Sequence, residues 1–132
     1  MTFQQLTLIV GDEFFAVCRL EPDTSIPPWA TAGDFFSITR TTDELSIVCR
    51  QDAVPKGILC ERGWRCLRVA GTMPFSVVGV LASLTVPLTE AGISLFSLST
   101  FDTDYLLVKA KNLERAVDVL RRRRHAVSLG PG

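Results

Sequence analysis

The sequence predicts an α+β fold made of two modules packed together, residues 1–62 and 63–132, the first a degenerate copy of the second. Three observations predict it. Between residues 65 and 129 the apolar period changes from two to helical and back, twice over. Segments of the first half recur sixty positions later. Each long helical run follows a capping residue, and Gly92 stops the first.

In chain order, Leu6 to Val10 and Phe14 to Leu20 are apolar runs on either side of Gly11-Asp12, a pattern that predicts two strands joined by a tight turn. Pro22, Pro27 and Pro28 then forbid a continuing ladder, and Trp29 to Ala32 has room for one helical turn, begun by Pro28 and stopped by Gly33. DFFSITR (34–40) and ELSIVCR (44–50) predict a hairpin over Thr41-Thr42-Asp43, with Phe36, Ile38, Leu45 and Ile47 on one face. Residues 51–63 read as a loop or a poor short helix.

Arg65 to Gly71 is the next expected strand. From Val77 the apolar residues recur at helical spacing (Val77, Leu81, Leu84, Leu88, Ala91, with Val80 widening the stripe). Ser76 is the expected N-cap, Gly92 the left-handed stop, and Pro87 predicts a kink near the last turn. Ile93 to Ser99 and Tyr105 to Lys109 are strands around the acidic turn Asp102-Thr103-Asp104. A second helix is expected from Asn112 with Leu113, Ala116, Val117 and Leu120 inward, and Ala126 to Leu129 as a last edge strand. Strand, helix, strand, strand, helix, strand is the split βαβ, ferredoxin-like plan, a four-stranded antiparallel sheet with two helices on one face.

A shift of sixty lays FSIT at Phe36 over FSLS at Phe96, residues 44–48 over 104–108, and Leu6 to Gly11 over Cys66 to Gly71. Two halves with one plan explain the match. Where the second half has its long helix, the first has Phe14 to Leu20 and the prolines, so the first module reads as degenerate.

Composition narrows the function. Apolar residues at 47% against 21% charged residues suit a packed core, and 14 basic against 14 acidic side chains leave no field to recruit nucleic acid or an acidic membrane. No apolar run approaches the roughly 20 residues that span a bilayer, and the start has no export signal. The four cysteines show no C-x-x-C and the single histidine is His125, which argues against zinc and for reduced, buried, inert thiols in a cytoplasmic protein. No metal or cofactor is expected. Neither a G-x-S-x-G elbow nor a phosphate-loop glycine pattern is present. Arg121 to Arg124 reads as a solvated last helical turn that complements the helix dipole, with a binding patch as the alternative. Trp29 and Trp64 are core residues or interface anchors.

FFSITRTTDELSIVC, GWRCLRVAG, VGVLASLTVPLTEAGIS and STFDTDYLLVK followed by LERAVDVL resemble the small tandem ACT-domain proteins, a family related to the ACT repeats of cytosolic arginine sensors. The resemblance runs from about Leu6 to Leu120. It implies two ACT modules and a small-molecule ligand, an amino acid by preference, held where two modules meet. It places the ligand against Gly71, Thr72, Met73, Pro74, Phe75, Ser76, Val77, Gly79 and Val80 of the loop and helix start, against the strand Ile93-Ser94-Leu95, and against Thr100, Phe101 and Asp104 of the acidic turn. A two-module chain is shorter than the arginine sensors, so its pocket lies within the chain or between two copies, and arginine itself does not follow.

The chemistry supports that placement independently. A zwitterion needs one site for carboxylate and another for ammonium. A helix N-terminus offers free N–H groups and the positive end of the dipole, Gly79 permits close approach, and Asp104 can accept ammonium hydrogens in charge-assisted bonds. Against this, Asp102 and Asp104 also fit a plain turn or, less well, a metal or acid/base pair. The expectation is a non-enzymatic regulatory ligand-binding module, a homodimer or larger, acting through a protein partner. The alternative is a structural or interaction protein that has lost the pocket. A small enzyme would need Glu90, Asp102, Arg40 or Arg65 to gather at Asp104.

Overall fold

In a computed structural model of the chain, residues 5–71 and 79–130 are described. Along the chain run strands β1 (Thr7–Leu20), β2 (Ser37–Arg40), β3 (Leu45–Arg50) and β4 (Cys60–Val69), helix α1 (Val80–Glu90), strands β5 (Leu95–Ser99) and β6 (Asp104–Lys109), helix α2 (Leu113–Arg122) and strand β7 (Ala126–Leu129). Single 3-10 turns occupy Pro28–Thr31, Gln51–Ala53 and Ala110–Asn112. The chain divides into two compact units, Met1–Asp12 with Arg65–Gly132 and Glu13–Trp64. The start of β1 therefore packs with the second half of the sequence rather than with residues 13–62, where the sequence groups it.

The larger unit has the ferredoxin-like order of elements with one change. Its strands lie in the order β7, β1, β4, β6, β5, so the sheet has five strands, not the expected four. The start of β1 is inserted beside β7, and the two run parallel from Thr7 opposite Ala126 to Val10 opposite Leu129. Alternation makes this possible: Leu6, Leu8 and Val10 share one face, as do Leu67 with Val69 and Leu106 with Val108. That face is covered by both helices through Val80, Leu84, Leu88, Ala116 and Leu120 in one buried cluster. Each buried leucine contributes about 1.5–3 kcal/mol relative to exposure.

Three local expectations are corrected here. Gly11-Asp12 is not a turn: β1 runs through it as one 14-residue strand. The Gly11 carbonyl is held by the Arg65 guanidinium, which donates from Nε (3.3 Å) and Nη2 (2.8 Å). The first helix does not start at Val77 behind a Ser76 cap. Its N-cap is Gly79, in the left-handed region at φ 85°, a conformation the glycine's missing Cβ makes cheap, and Ser76 and Val77 lie outside the described residues. The buried stripe is accordingly Val80, Leu84, Pro87 and Leu88, with Leu81 half-buried. Asn112 is the N-cap position of α2 but makes no side-chain capping bond, because a 3-10 turn leads directly into the helix.

Pro87 lies inside α1 and is buried. Having no N–H, it cannot bond the carbonyl of Ser83 four residues earlier. That carbonyl meets Nε2 of the buried His125 at 3.3 Å, and Nδ1 of the same ring accepts the Leu6 N–H at 3.1 Å. An acceptor at Nδ1 fixes the neutral tautomer with the proton on Nε2, so His125 supplies the donor that the proline removed.

In the smaller unit β3 lies between β2 and β1. The hairpin is in the expected place, Arg40 opposite Leu45, and its turn is closed by Thr41, whose Oγ1 accepts from the Asp43 and Glu44 amides at 3.1 Å each. Ala16, Cys18, Leu45, Ile47 and Cys49 form the buried cluster, with Ile38 and Trp29 packed against it, while Phe36 stays 40% exposed. One 3-10 turn at Pro28–Thr31 matches the expected single turn. Arg40 lies along the proline loop, donating to the carbonyls of Pro22 and, at 2.8 Å, Thr24.

Candidate functional site

The site residues expected from the sequence fall into three groups in the larger unit, and six of them, Thr72, Met73, Pro74, Phe75, Ser76 and Val77, lie outside the described residues. The first group is the start of α1. Gly79 is exposed, and a Cβ built on it would meet open space, so backbone there is accessible to a ligand. Gly79 O accepts the Ser83 N–H at 2.9 Å, the first turn of the helix. Gly79 at the N-cap offers no side chain to the first-turn amides, which an α-helix leaves without intrahelical partners. Val80 is 6% exposed and its side chain belongs to the core, so only its backbone is available.

The second group lies where α1 gives way to β5. The helix ends in a left-handed glycine, Gly92 at φ 75°, and Ile93 N–H returns to Leu88 O at 3.0 Å. That Schellman-like closure turns the chain beneath the helix end. Ile93 is buried, Ser94 exposed and Leu95 half-buried. Ser94 and Leu95 line an open hollow of about 410 Å³ together with Thr89, Gly92 and Ile93. Thr89 and Gly92 were legible only as a helix end. Their contribution follows from the glycine stop being adjacent to the strand.

The third group is the acidic turn. Ser99 faces Asp104 across the β5–β6 pair, and the Ser99 hydroxyl donates to Asp104 Oδ1 at 2.6 Å. Asp104 is half-buried. Thr100 Oγ1 donates to Thr103 O at 3.1 Å and accepts the Thr103 N–H at 3.2 Å, while the buried Thr103 hydroxyl donates to Val69 O at 2.7 Å. The turn is thus tied to β4, and Phe101 stands 78% exposed at its tip. The Ser99 contact uses one lone-pair direction of a carboxylate with about four, and leaves capacity for an ammonium group.

Three of the four groups that an enzyme would need at Asp104 are engaged elsewhere. Arg65 is on Gly11 O, Arg40 on the proline loop, and Glu90 on Arg123 at 2.7 Å. The arginine run is likewise structural in part: Arg121 donates to Val127 O at 2.7 Å and Arg122 pairs with Asp118 at 2.8 Å. Beside α2 is a wider hollow of about 710 Å³, lined by Leu113, Val117 and Leu129 with charged Glu114, Arg115, Asp118 and Arg121, which sequence reasoning did not anticipate. No group of three or more metal-ligating side chains is found among the described residues, and no helix among them is long and apolar enough to cross a membrane.

The ACT domain family model matches residues 59–122, and a separate N-terminal-domain model matches residues 13–57. The human cytosolic arginine sensor for mTORC1 subunit 1 is 26% identical over 130 residues, covering 92% of this chain and 40% of the sensor; the chain thus spans only 32–40% of the length of the arginine sensors it matches. A crystal structure of an Agobacterium tumefaciens protein is 38% identical with a TM-score of 0.92, over 97% of this chain and 96% of that one. The regulatory subunit of aspartate kinase from Thermus thermophilus superposes with a TM-score of 0.61 at 10% identity, over 88% of this chain and 95% of that one, a likeness of fold alone. With the ferredoxin-like order of the larger unit, these matches identify the chain as an ACT-domain protein related to the cytosolic arginine sensors.

Proposed function

We propose that this protein is a regulatory module that binds an amino acid or a similar small zwitterion on its larger unit and passes the signal to a protein partner. The observation that carries the reading is the ACT match over residues 59–122, which spans the glycine-capped helix start, the hollow at Ser94 and Leu95, and the acidic turn. Ligand carboxylate would take the first-turn amides of α1 beside Gly79, with Thr72 to Val77 as the further contacts expected from the sequence. Ammonium would take Asp104, with Thr100 and Phe101 beside it. Both hollows are open, so closing the site requires an opposing surface, which a second copy of the chain would supply in a homo-oligomer. A bridging ligand favours the assembled arrangement by its differential affinity for it. The kinship with a sensor named cytosolic supports a cytoplasmic setting.

The test is a thermal-shift screen of the full chain against each of the twenty amino acids. Ligand at a hundred times its Kd stabilises by about 2.7 kcal/mol, a rise of several degrees in Tm. One or a few amino acids should produce it, and Asp104→Ala should remove it with little change in the unliganded Tm. Twenty flat curves would reject ligand sensing and favour an interaction module without a pocket.

A further inference from the structure

Three of the four cysteines converge in the smaller unit, remote in sequence from the turn and helix start discussed above. Cys18 is on β1, Cys49 on β3, and Cys60 opens β4. In the β1–β3 register Ala16 faces Cys49 and Cys18 faces Ile47, so both thiols project from one face at neighbouring rungs. The Arg19 N–H donates to Leu59 O at 3.0 Å. In an antiparallel pair that bond sets Cys18 opposite Cys60 at a non-hydrogen-bonded position, where Cα atoms approach to about 4.5 Å. A disulfide accepts Cα separations of about 4.4–6.8 Å. Cys18 and Cys49 are fully buried, whereas Cys60 is only partly buried. The neighbouring Cys49 and burial push the Cys18 thiol well up from the usual value, and Cys60 acts on it in the same sense. Cys66 stands apart in the larger unit, buried and pushed up to about 12.

We propose that Cys18 and Cys60 form a peroxide-responsive oxidation site in which Cys60 reacts first and Cys18 resolves it. The Cys60 thiolate attacks hydrogen peroxide; an S–O bond forms, the O–O bond breaks, hydroxide leaves, and the sulfur loses two electrons to become a sulfenic acid. The Cys18 thiol then gives its proton to that hydroxide, forming water, and attacks the Cys60 sulfur. The S–S bond forms, the S–O bond breaks, and a second hydroxide leaves. The product is a disulfide between β1 and β4 with Cys49 left as a thiol.

Trypsin places the four cysteines in separate peptides, 1–19, 41–50, 57–62 and 66–68. The full chain, reduced and freed of reductant, is treated with hydrogen peroxide, quenched, alkylated and digested without reductant. The expected product is peptide 1–19 joined to 57–62, lighter by two hydrogens than their sum, with Cys66 unoxidised. Cys60→Ser should abolish it and Cys49→Ala should leave it in place. Should a substitution unfold the chain, the wild-type peptide map decides alone. A link dominated by Cys18 and Cys49, links only between chains, or oxidation of Cys66 as fast as Cys60 would each overturn the proposal.

Discussion

His125 replaces a hydrogen bond that a proline deleted, and a double-mutant cycle can measure the replacement. In His125→Ala, Leu6 N–H loses its 3.1 Å acceptor and Ser83 O its 3.3 Å donor. The ring is 3% exposed, so water reaches neither group without structural opening. A buried polar group left unpaired costs about 1–3 kcal/mol, which gives about 2–5 kcal/mol for the pair, with the longer Ser83 contact at the lower end. For a chain of this size about 1 kcal/mol moves Tm by about 4 °C, so a fall of about 8–20 °C is expected. Pro87→Ala returns an N–H four residues after Ser83, within one helical turn. In that background Ser83 O no longer depends on His125, and His125→Ala should cost about 1 kcal/mol less, which urea denaturation of the four proteins would resolve as a coupling energy. An identical cost of His125→Ala with and without Pro87 would refute the exchange of donors.

Three other outcomes follow from the same structure. Burial raises the Cys66 thiol from 9.0 to about 12; a folded-state value above the unfolded one is stabilising below pH 9 and is lost as pH rises from there towards 12. Wild-type stability should therefore fall by up to about 1.4 kcal/mol per pH unit above 9 relative to Cys66→Ala, read from urea midpoints at pH 8 to 11. Gly92→Ala places a Cβ in open space but in the left-handed region, φ 75°, and should cost about 1 kcal/mol by the same assay; a neutral result would mean that the helix end has moved. Thr103→Val keeps shape but removes the hydroxyl that donates to Val69 O at 2.7 Å. It should cost about 1–2 kcal/mol and speed amide exchange in the acidic turn.

Much of this fold is legible from local chemistry. Gly33 and Gly92 stop their helical turns where the glycine signal says they should, and the β2–β3 hairpin follows from alternation and a threonine turn. What was not legible depends on partners distant in the chain. Gly11 carries a turn signal, but the pull on its carbonyl comes from Arg65, fifty-four positions away. The fifth strand of the larger sheet required knowing that residues 7–10 pair with residues 126–129, and no periodicity encodes a pairing across that distance. The glycine stop fixes where the strand of Ser94 and Leu95 starts, whereas their place among the ligand contacts comes from the resemblance alone. Val80 belongs to the apolar stripe that the helical period picks out, and its side chain is buried; its place among the ligand contacts likewise comes from the resemblance alone. The Ser99 bond to Asp104 follows from hairpin register, which the turn residues alone leave undetermined.

The parallel pairing of Thr7–Val10 with Ala126–Leu129 also bears on how the chain is made. A ribosome delivers the first of these segments long before the second, so a nascent chain carries one apolar edge without its neighbour for nearly the whole of its synthesis. Residues 13–64 can close early, whereas the larger sheet waits for the last strand. During that interval the exposed stretch TLIV is open to pairing with another chain, and slowing translation before Ala126 should raise aggregation of newly made protein more than slowing it before Gly33.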